Sequence, residues 1–250
     1  MVRGLYSGAL GMMTQMQRMD VISNNLANAD TTSFKRDHVV SHAFSEQFLY
    51  RVNDPGIRMF NPAIGRVNPG VFVDDVFTVF TQGALRETHN SFDFALSGQG
   101  FFVIDVNGHE LYTRDGNFTI SNGMLMTAAG GRVQGLGGDI ILPNGDTKVN
   151  EQGEILVNNE IVATLRIVNF SDLHSLRKMQ DNLYFTTEGS EEIPANAQVL
   201  QGFLESSNID TVREMVEIIN ISRAFETNSR MVTIIDQTLQ NAVNDIARRQ

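Results

Sequence analysis

The chain has 250 residues, 42% of them hydrophobic, a formal net charge of −10 and no cysteine. That length buries a real core in one large domain or two smaller ones, and the composition argues against wholesale disorder. The acidic balance, without any Lys/Arg run interleaved with aromatics, argues against a nucleic-acid partner, and the missing cysteines exclude disulfides and thiolate metal sites.

The first element is a helix from Val2 to about Asn28. Leu5, Ala9, Met12, Met16, Met19, Ser23 and Leu26 alternate steps of four and three, a heptad-type seam flanked by Met13, Val21 and Ile22. Gly4, Ser7, Gly8 and Gly11 interrupt the apolar run, so it reads as amphipathic and not as a cleavable signal. No apolar run approaches the ~18 residues of a membrane span. Asn24, Asn25 and Asn28 loosen the C-terminal end of the helix, and Asp30-Thr31-Thr32-Ser33 forms a turn.

Residues 31–70 read as a loop-rich linker, punctuated by Asn53-Asp54-Pro55-Gly56, Asn61-Pro62 and Asn68-Pro69-Gly70. Strand chemistry begins near Val71 and continues to about Ser207. Short β-branched and aromatic runs alternate there with the hairpin dipeptides Asn107-Gly108, Asp115-Gly116, Asn122-Gly123 and Asn144-Gly145. Without long helical patterns between them, these strands predict an antiparallel sheet or small barrel.

The last element, from Asp210 to Gln250, contains neither Gly nor Pro. Asp210 or Thr211 caps it, and Ile218, Ile221, Phe225, Asn228, Val232, Ile235, Leu239, Ala242 and Ile246 make a second seam. Roughly forty residues at 1.5 Å each give a rod of about 60 Å, longer than a domain of this size requires. The chain therefore reads as α+β: an N-terminal helix (1–30), a linker (31–70), a mainly antiparallel β domain (71–207) and a C-terminal helix (208–250). The terminal helices are expected to form a coiled-coil-like pair. Neither seam is narrow, so two helices cannot cover all of it, and subunits packing side by side are expected. Leu5, Met12, Met16, Met19 and Leu26, with Ile218, Ile221, Phe225, Asn228, Val232, Ile235, Leu239 and Ile246, are the candidate subunit-interface residues. Asn228 is the polar position that would fix register.

Candidate chemistry is sparse. His38 and His42 have the spacing of a helical zinc pair, but Val39 stands where a metalloprotease needs Glu. The glycine-rich stretch 130–138 lies between strands and lacks a following Lys-Ser/Thr pair, so turns and a bulge explain it. Asp105, Asp115, Asp139 and Asp146 sit beside hairpin turns, where Asp is favoured locally. No catalytic constellation, metal site or cofactor is expected.

Five stretches carry a resemblance: Asn24 to Lys35, Leu96 to Val103, Tyr112 to Thr119, Gln201 to Asp210, and Arg223 to Asn228. In this order and over nearly the whole chain, they are similar to the bacterial flagellar rod and hook family, most like rod proteins of the FlgF or FlgG type. Ser33 stands where that family usually carries Gly, which predicts a turn that avoids a positive φ. The resemblance implies a non-enzymatic axial protein of the basal body, with partners in itself, other rod subunits and the flagellar export apparatus. It further implies type III export without a cleaved signal and terminal helices lining the inner tube, with the β domain facing outward. The segment Phe34 to Val40 and the modest linker favour the proximal rod over a distal rod or hook-family subunit. Competing readings are a carbohydrate-active enzyme with a cross-strand carboxylate pair and a secreted coiled-coil adhesin.

Overall fold

The N-terminal seam folds as α1, Val2–Ala27, and the C-terminal one as α2, Thr211–Ala247. The computed structural model describes residues 2–50, 63–143, 145–180, 182–187 and 190–247. With a mostly antiparallel β domain between the helices, the chain is α+β. It divides into a helical unit (Met1–Leu26, Asp37–Phe77, Thr211–Gln250) and a β unit (Ala27–Arg36, Thr78–Asp210). Since α2 begins at Thr211, Asp210 holds the capping position of the two candidates.

In the helical unit, α1 presents glycines to α2. A Cβ placed on Gly4 would lie 3.0 Å from Ile235 Cδ1, one on Gly8 3.0 Å from Val232 Cγ2, and one on Gly11 2.9 Å from Asn228 Nδ2. The partners descend along α2 as the glycines ascend along α1, an antiparallel order. The glycines that interrupt the hydrophobic run are thus where the second helix comes closest.

The segment 31–70 carries strands Asp37–Ala43, Gln47–Tyr50 and Ala63–Val67. The first pairs with Val71–Thr78, and the other two pair antiparallel with Gln47 opposite Val67. Helix α1 is stitched to these strands by polar side chains. Ser7 Oγ donates to Pro69 O at 3.2 Å, and Thr14 Oγ1 to Val71 O at 3.4 Å. The buried Asn25 amide bonds both backbone groups of Asp37, donating to its O at 2.9 Å and accepting from its N at 3.0 Å. Asn25, expected from sequence to loosen the end of the helix, clamps it to Asp37.

In the β unit the central strand is Phe101–Val106. Its apolar run is buried on both faces, as a continuous hydrophobic strand must be. Phe102 and Ile104 enter the larger core with Leu96, Phe118, Leu125, Val133 and Ile155, while Phe101 and Val103 join Tyr112, Phe170 and Tyr184 on the other face. The main sheet runs in the order 176–178, 183–186, 109–113, 101–106, 132–135, 124–127, 118–121. Two further antiparallel pairs join distant parts of the chain: Phe94–Gln99 with Asn196–Gln201, and Leu85–Glu87 with Phe203–Glu205.

Asn107-Gly108 and Asn122-Gly123 are two-residue hairpins with positive φ at both positions, as that turn demands. Asn158-Asn159, which carries no glycine to advertise it, makes a third. Asn144 lies outside the described residues. Asp115-Gly116 departs from expectation, because it does not close a hairpin. Gly116 is required by proximity: a Cβ there would lie 1.7 Å from Phe94 O. Gly116→Ala should therefore destabilise the β unit by about 3 kcal/mol, the upper range for an overpacked site. Gly137→Ala, with nothing within 4 Å, should stay within about 0.5 kcal/mol. Urea midpoints of the two variants check this.

A buried ionic clasp and an uncovered helical flank

Two features remain once the core is accounted for: a cluster of buried charges in the β unit and a run of uncovered apolar side chains on the helices. The charges come from positions whose neighbours are apolar. Phe34-Lys35, Tyr112-Thr113-Arg114 and Phe203-Leu204-Glu205 each carry one charge into the interior. Glu205 accepts from Lys35 Nζ, from Arg114 Nε at 3.1 Å and from Gly83 N at 2.7 Å. Lys35 Nζ also donates to Thr81 O at 2.9 Å, and Arg114 Nη1 to Gly98 O and Gly100 O at 2.8 Å each. Lys35 and the Glu205 carboxylate are fully sealed from solvent, and burial pulls the Lys35 ammonium below its ordinary pKa against the opposing pull of Glu205.

Backbone bonds surround this clasp. Ser33 N donates to Glu205 O at 2.8 Å, Val79 N to Arg36 O at 2.8 Å, and Ser206 N to Ala84 O at 2.8 Å. The Asn208 amide accepts from Arg36 N at 2.8 Å and donates to Val79 O at 2.8 Å and Thr81 O at 3.1 Å. Lys178 Nζ caps Lys35 O at 3.0 Å while lying 3.4 Å from the centre of the Phe34 ring. Segments 33–36, 79–84 and 205–208 are therefore bound into one arrangement.

Ser33 overturns an expectation. Its φ is +54°, so the residue adopts the left-handed conformation that the loss of glycine was expected to avoid. Its buried hydroxyl donates to Arg114 O at 2.8 Å, an interaction glycine could not make, and that bond offsets the conformational cost.

The sequence-derived interface residues fall into distinct environments. Ile221 is buried, and Leu5, Met12, Met19, Leu26, Ile218, Asn228, Val232, Ile235 and Leu239 are partly covered. Met16 and Phe225 are exposed, and the Ile246 side chain lies outside the described residues. Exposed beside them are Tyr6 and Met13 on α1, with Met215, Val216, Ile219, Met231 and Ile234 on α2. His38 and His42 lie on a strand, where a four-residue spacing separates them. His38 stacks edge-on against Phe77, and His42 Nε2 is 3.6 Å from Asp74. Among the described residues no group of three or more His, Cys, Asp or Glu is placed to hold a metal, and no helix is long and apolar enough to cross a membrane.

Three family models match separate parts of the chain: "Flagella basal body rod protein" over 5–35, "Flagellar hook protein FlgE/F/G D1 domain" over 95–157, and "Flagellar basal body rod FlgEFG protein C-terminal" over 200–245. The flagellar basal-body rod protein FlgF of Caulobacter vibrioides is 34% identical, with 99% of each chain covered. The chain belongs to the flagellar basal-body rod protein family. FlgG of Bacillus subtilis is 31% identical, covering 98% of this chain and 99% of its own, and FlgG of Borreliella burgdorferi is 31% identical over 98% of each. As a rod-family member of the FlgF/FlgG type, the protein is structural and not an enzyme. Each of the three matched regions supplies one member of the clasp: Lys35, Arg114 and Glu205.

Glu205→Ala should cost the β unit about 3–5 kcal/mol, because it leaves two buried cations without their carboxylate. Lys35→Met should cost clearly less, since Arg114 and Glu205 still pair; urea unfolding followed by tyrosine fluorescence measures both.

A second effect concerns Tyr112, whose hydroxyl donates to Glu192 Oε1 at 2.6 Å. Burial, reinforced by that bond, pushes its pKa well above the ordinary 10.0. The folded state then keeps the phenol proton that the unfolded chain releases, so this contribution is complete below pH 10 and is lost as the pH climbs beyond it. Between pH 10 and about 12 the unfolding midpoint should fall more steeply for the native chain than for Tyr112→Phe.

Proposed function

We propose that this rod subunit assembles helically through its terminal helices, and that α1 and α2 of one chain act as an antiparallel, coiled-coil-like pair. The observation that carries this reading is the exposed apolar flank of both helices. With Gly4, Gly8 and Gly11 against Ile235, Val232 and Asn228, the seam is partly spent within the chain. Met13 and Met16 on α1, and Met215, Val216, Ile219, Met231 and Ile234 on α2, still face water. Apolar surface of this extent along a rod-shaped element is a docking surface for neighbouring helices. Helical growth needs heterologous contacts, and two different helices per subunit supply two different faces.

On this reading Leu5, Met12, Met16, Met19 and Leu26 with Ile218, Phe225, Leu239 and Ile246 belong to the interface between subunits, while Val232 and Ile235 form the part of the seam used within the chain, where Asn228 sets the register, and Ile221 is already buried. Partners are further copies and other rod subunits. The subunit crosses by the flagellar type III export apparatus without a cleaved signal and works in the periplasmic part of the basal body. The segment Phe34 to Val40 favours the proximal over the distal rod. No step involves nucleic acid, and among the described residues no helix is long and apolar enough to cross a membrane.

Met16→Glu combined with Ile219→Glu should leave the monomer folded, because both positions are exposed, yet prevent its incorporation into rods. Circular dichroism of the variant and immunoblots of purified basal bodies test this. Normal incorporation would overturn the reading.

A further inference from the structure

The chain holds eleven methionines and no cysteine, so its oxidisable sulfur is thioether. Four of those sulfurs belong to the uncovered helical flank: Met13 and Met16 on α1, 63% and 59% exposed, and Met215 and Met231 on α2, 52% and 54% exposed. The same helices expose further large hydrophobic side chains, Tyr6 on α1 and Val216, Ile219 and Ile234 on α2. Met12 and Met19 on α1 and Met124 and Met126 in the sheet are more covered. Met179, in the β unit, is 49% exposed and provides an internal reference.

We propose that Met13, Met16, Met215 and Met231 form an oxidative modification site that governs whether a free subunit can join the rod. This rests on the reading that the helical flank is where copies meet. The reaction is oxygen transfer from a peroxide. The thioether sulfur attacks one peroxide oxygen, the O–O bond breaks and an S–O bond forms. Sulfur is oxidised by two electrons, and the peroxide is reduced to water or the corresponding alcohol. The product sulfoxide is polar and a strong hydrogen-bond acceptor. Packed against Val, Ile and Met side chains it meets no donor, so burying it is unfavourable where burying the thioether was favourable. A methionine also tolerates irregular helix contacts because it is flexible and polarisable, a property the sulfoxide loses. Oxidation is confined to the free state, since assembly covers the sulfurs. Reduction by a methionine sulfoxide reductase restores the surface.

The test uses the full-length subunit treated with hydrogen peroxide, with peptide mass spectrometry and sedimentation of assembled material as readouts. Met13, Met16, Met215, Met231 and Met179 should oxidise ahead of Met12, Met19, Met124 and Met126, and assembly should fall about tenfold or more while the circular dichroism stays native. The quadruple Met→Leu variant at the four helical positions should assemble equally with and without peroxide, whereas Met179→Leu should protect nothing. Sulfoxide reductase treatment of the oxidised native chain should recover assembly, which gives a second readout if the quadruple variant folds poorly. The proposal is overturned if oxidised native subunits assemble normally, if the lost assembly tracks a lost helix or sheet signal, or if reductase does not restore it. The flank reading fails separately. In that case untreated subunits assemble, and the four helical methionines react as fast in the polymer as in the free chain.

Discussion

A carboxylate removed from water must be answered by donors, and Glu205 is answered from three separate parts of the chain. Lys35 arrives from the segment after the first helix, Arg114 from just past the strand His109–Thr113, and the backbone of Gly83 from just before the strand Leu85–Glu87. Burying such charges contributes little net stability against a well-packed apolar alternative. It does contribute selectivity, because a slipped register at any one segment leaves an ion without its partner. The segments so fixed, 33–36, 79–84 and 205–208, adjoin three of the four places where the chain passes between its two units, 36/37, 77/78 and 210/211, the fourth being 26/27.

The helices obey a different constraint. An isolated helix gains little stability until its apolar stripe is covered, and the stripes here are wider than one partner can cover. Glycines on α1 let α2 approach closely, which uses part of the seam inside the chain. The remainder, rich in methionine and isoleucine, stays wet. The contrast between a β unit closed by long-range strand pairs and helices left partly unsatisfied fits a family of proteins that act in numbers.

Much of this was legible from residue order. Heptad spacing located α1 to within about a residue at each end and the start of α2 to within one, and Asn-Gly dipeptides located two hairpins, because both signals are local. The clasp was not legible in that way. Lys35, Arg114 and Glu205 each sit in a motif that marks the family, but nothing in one sequence says that residues 170 positions apart share an ion pair. The only local sign is a charge placed where neighbouring residues are plainly core. Ser33 and Gly116 misled for a related reason. A backbone conformation depends on the bonds that offset it, so Ser33 takes a positive φ when Arg114 O accepts its hydroxyl proton. Gly116 is demanded by Phe94 O and not by a turn. Asn25 is similar, a loosening residue by propensity that tertiary structure converts to a clamp on Asp37.

Assembly through the helices requires that their wet faces become dry when subunits join. The absence of native cysteine makes this directly measurable with single reporters, Ile219→Cys on α2 and Leu136→Cys on an exposed turn of the β unit. Maleimide labelling should be fast at both in the free subunit. In rods isolated from cells, labelling at position 219 should slow by about a hundredfold. A position-219 thiol that reacts in rods as fast as in the free subunit would contradict the account.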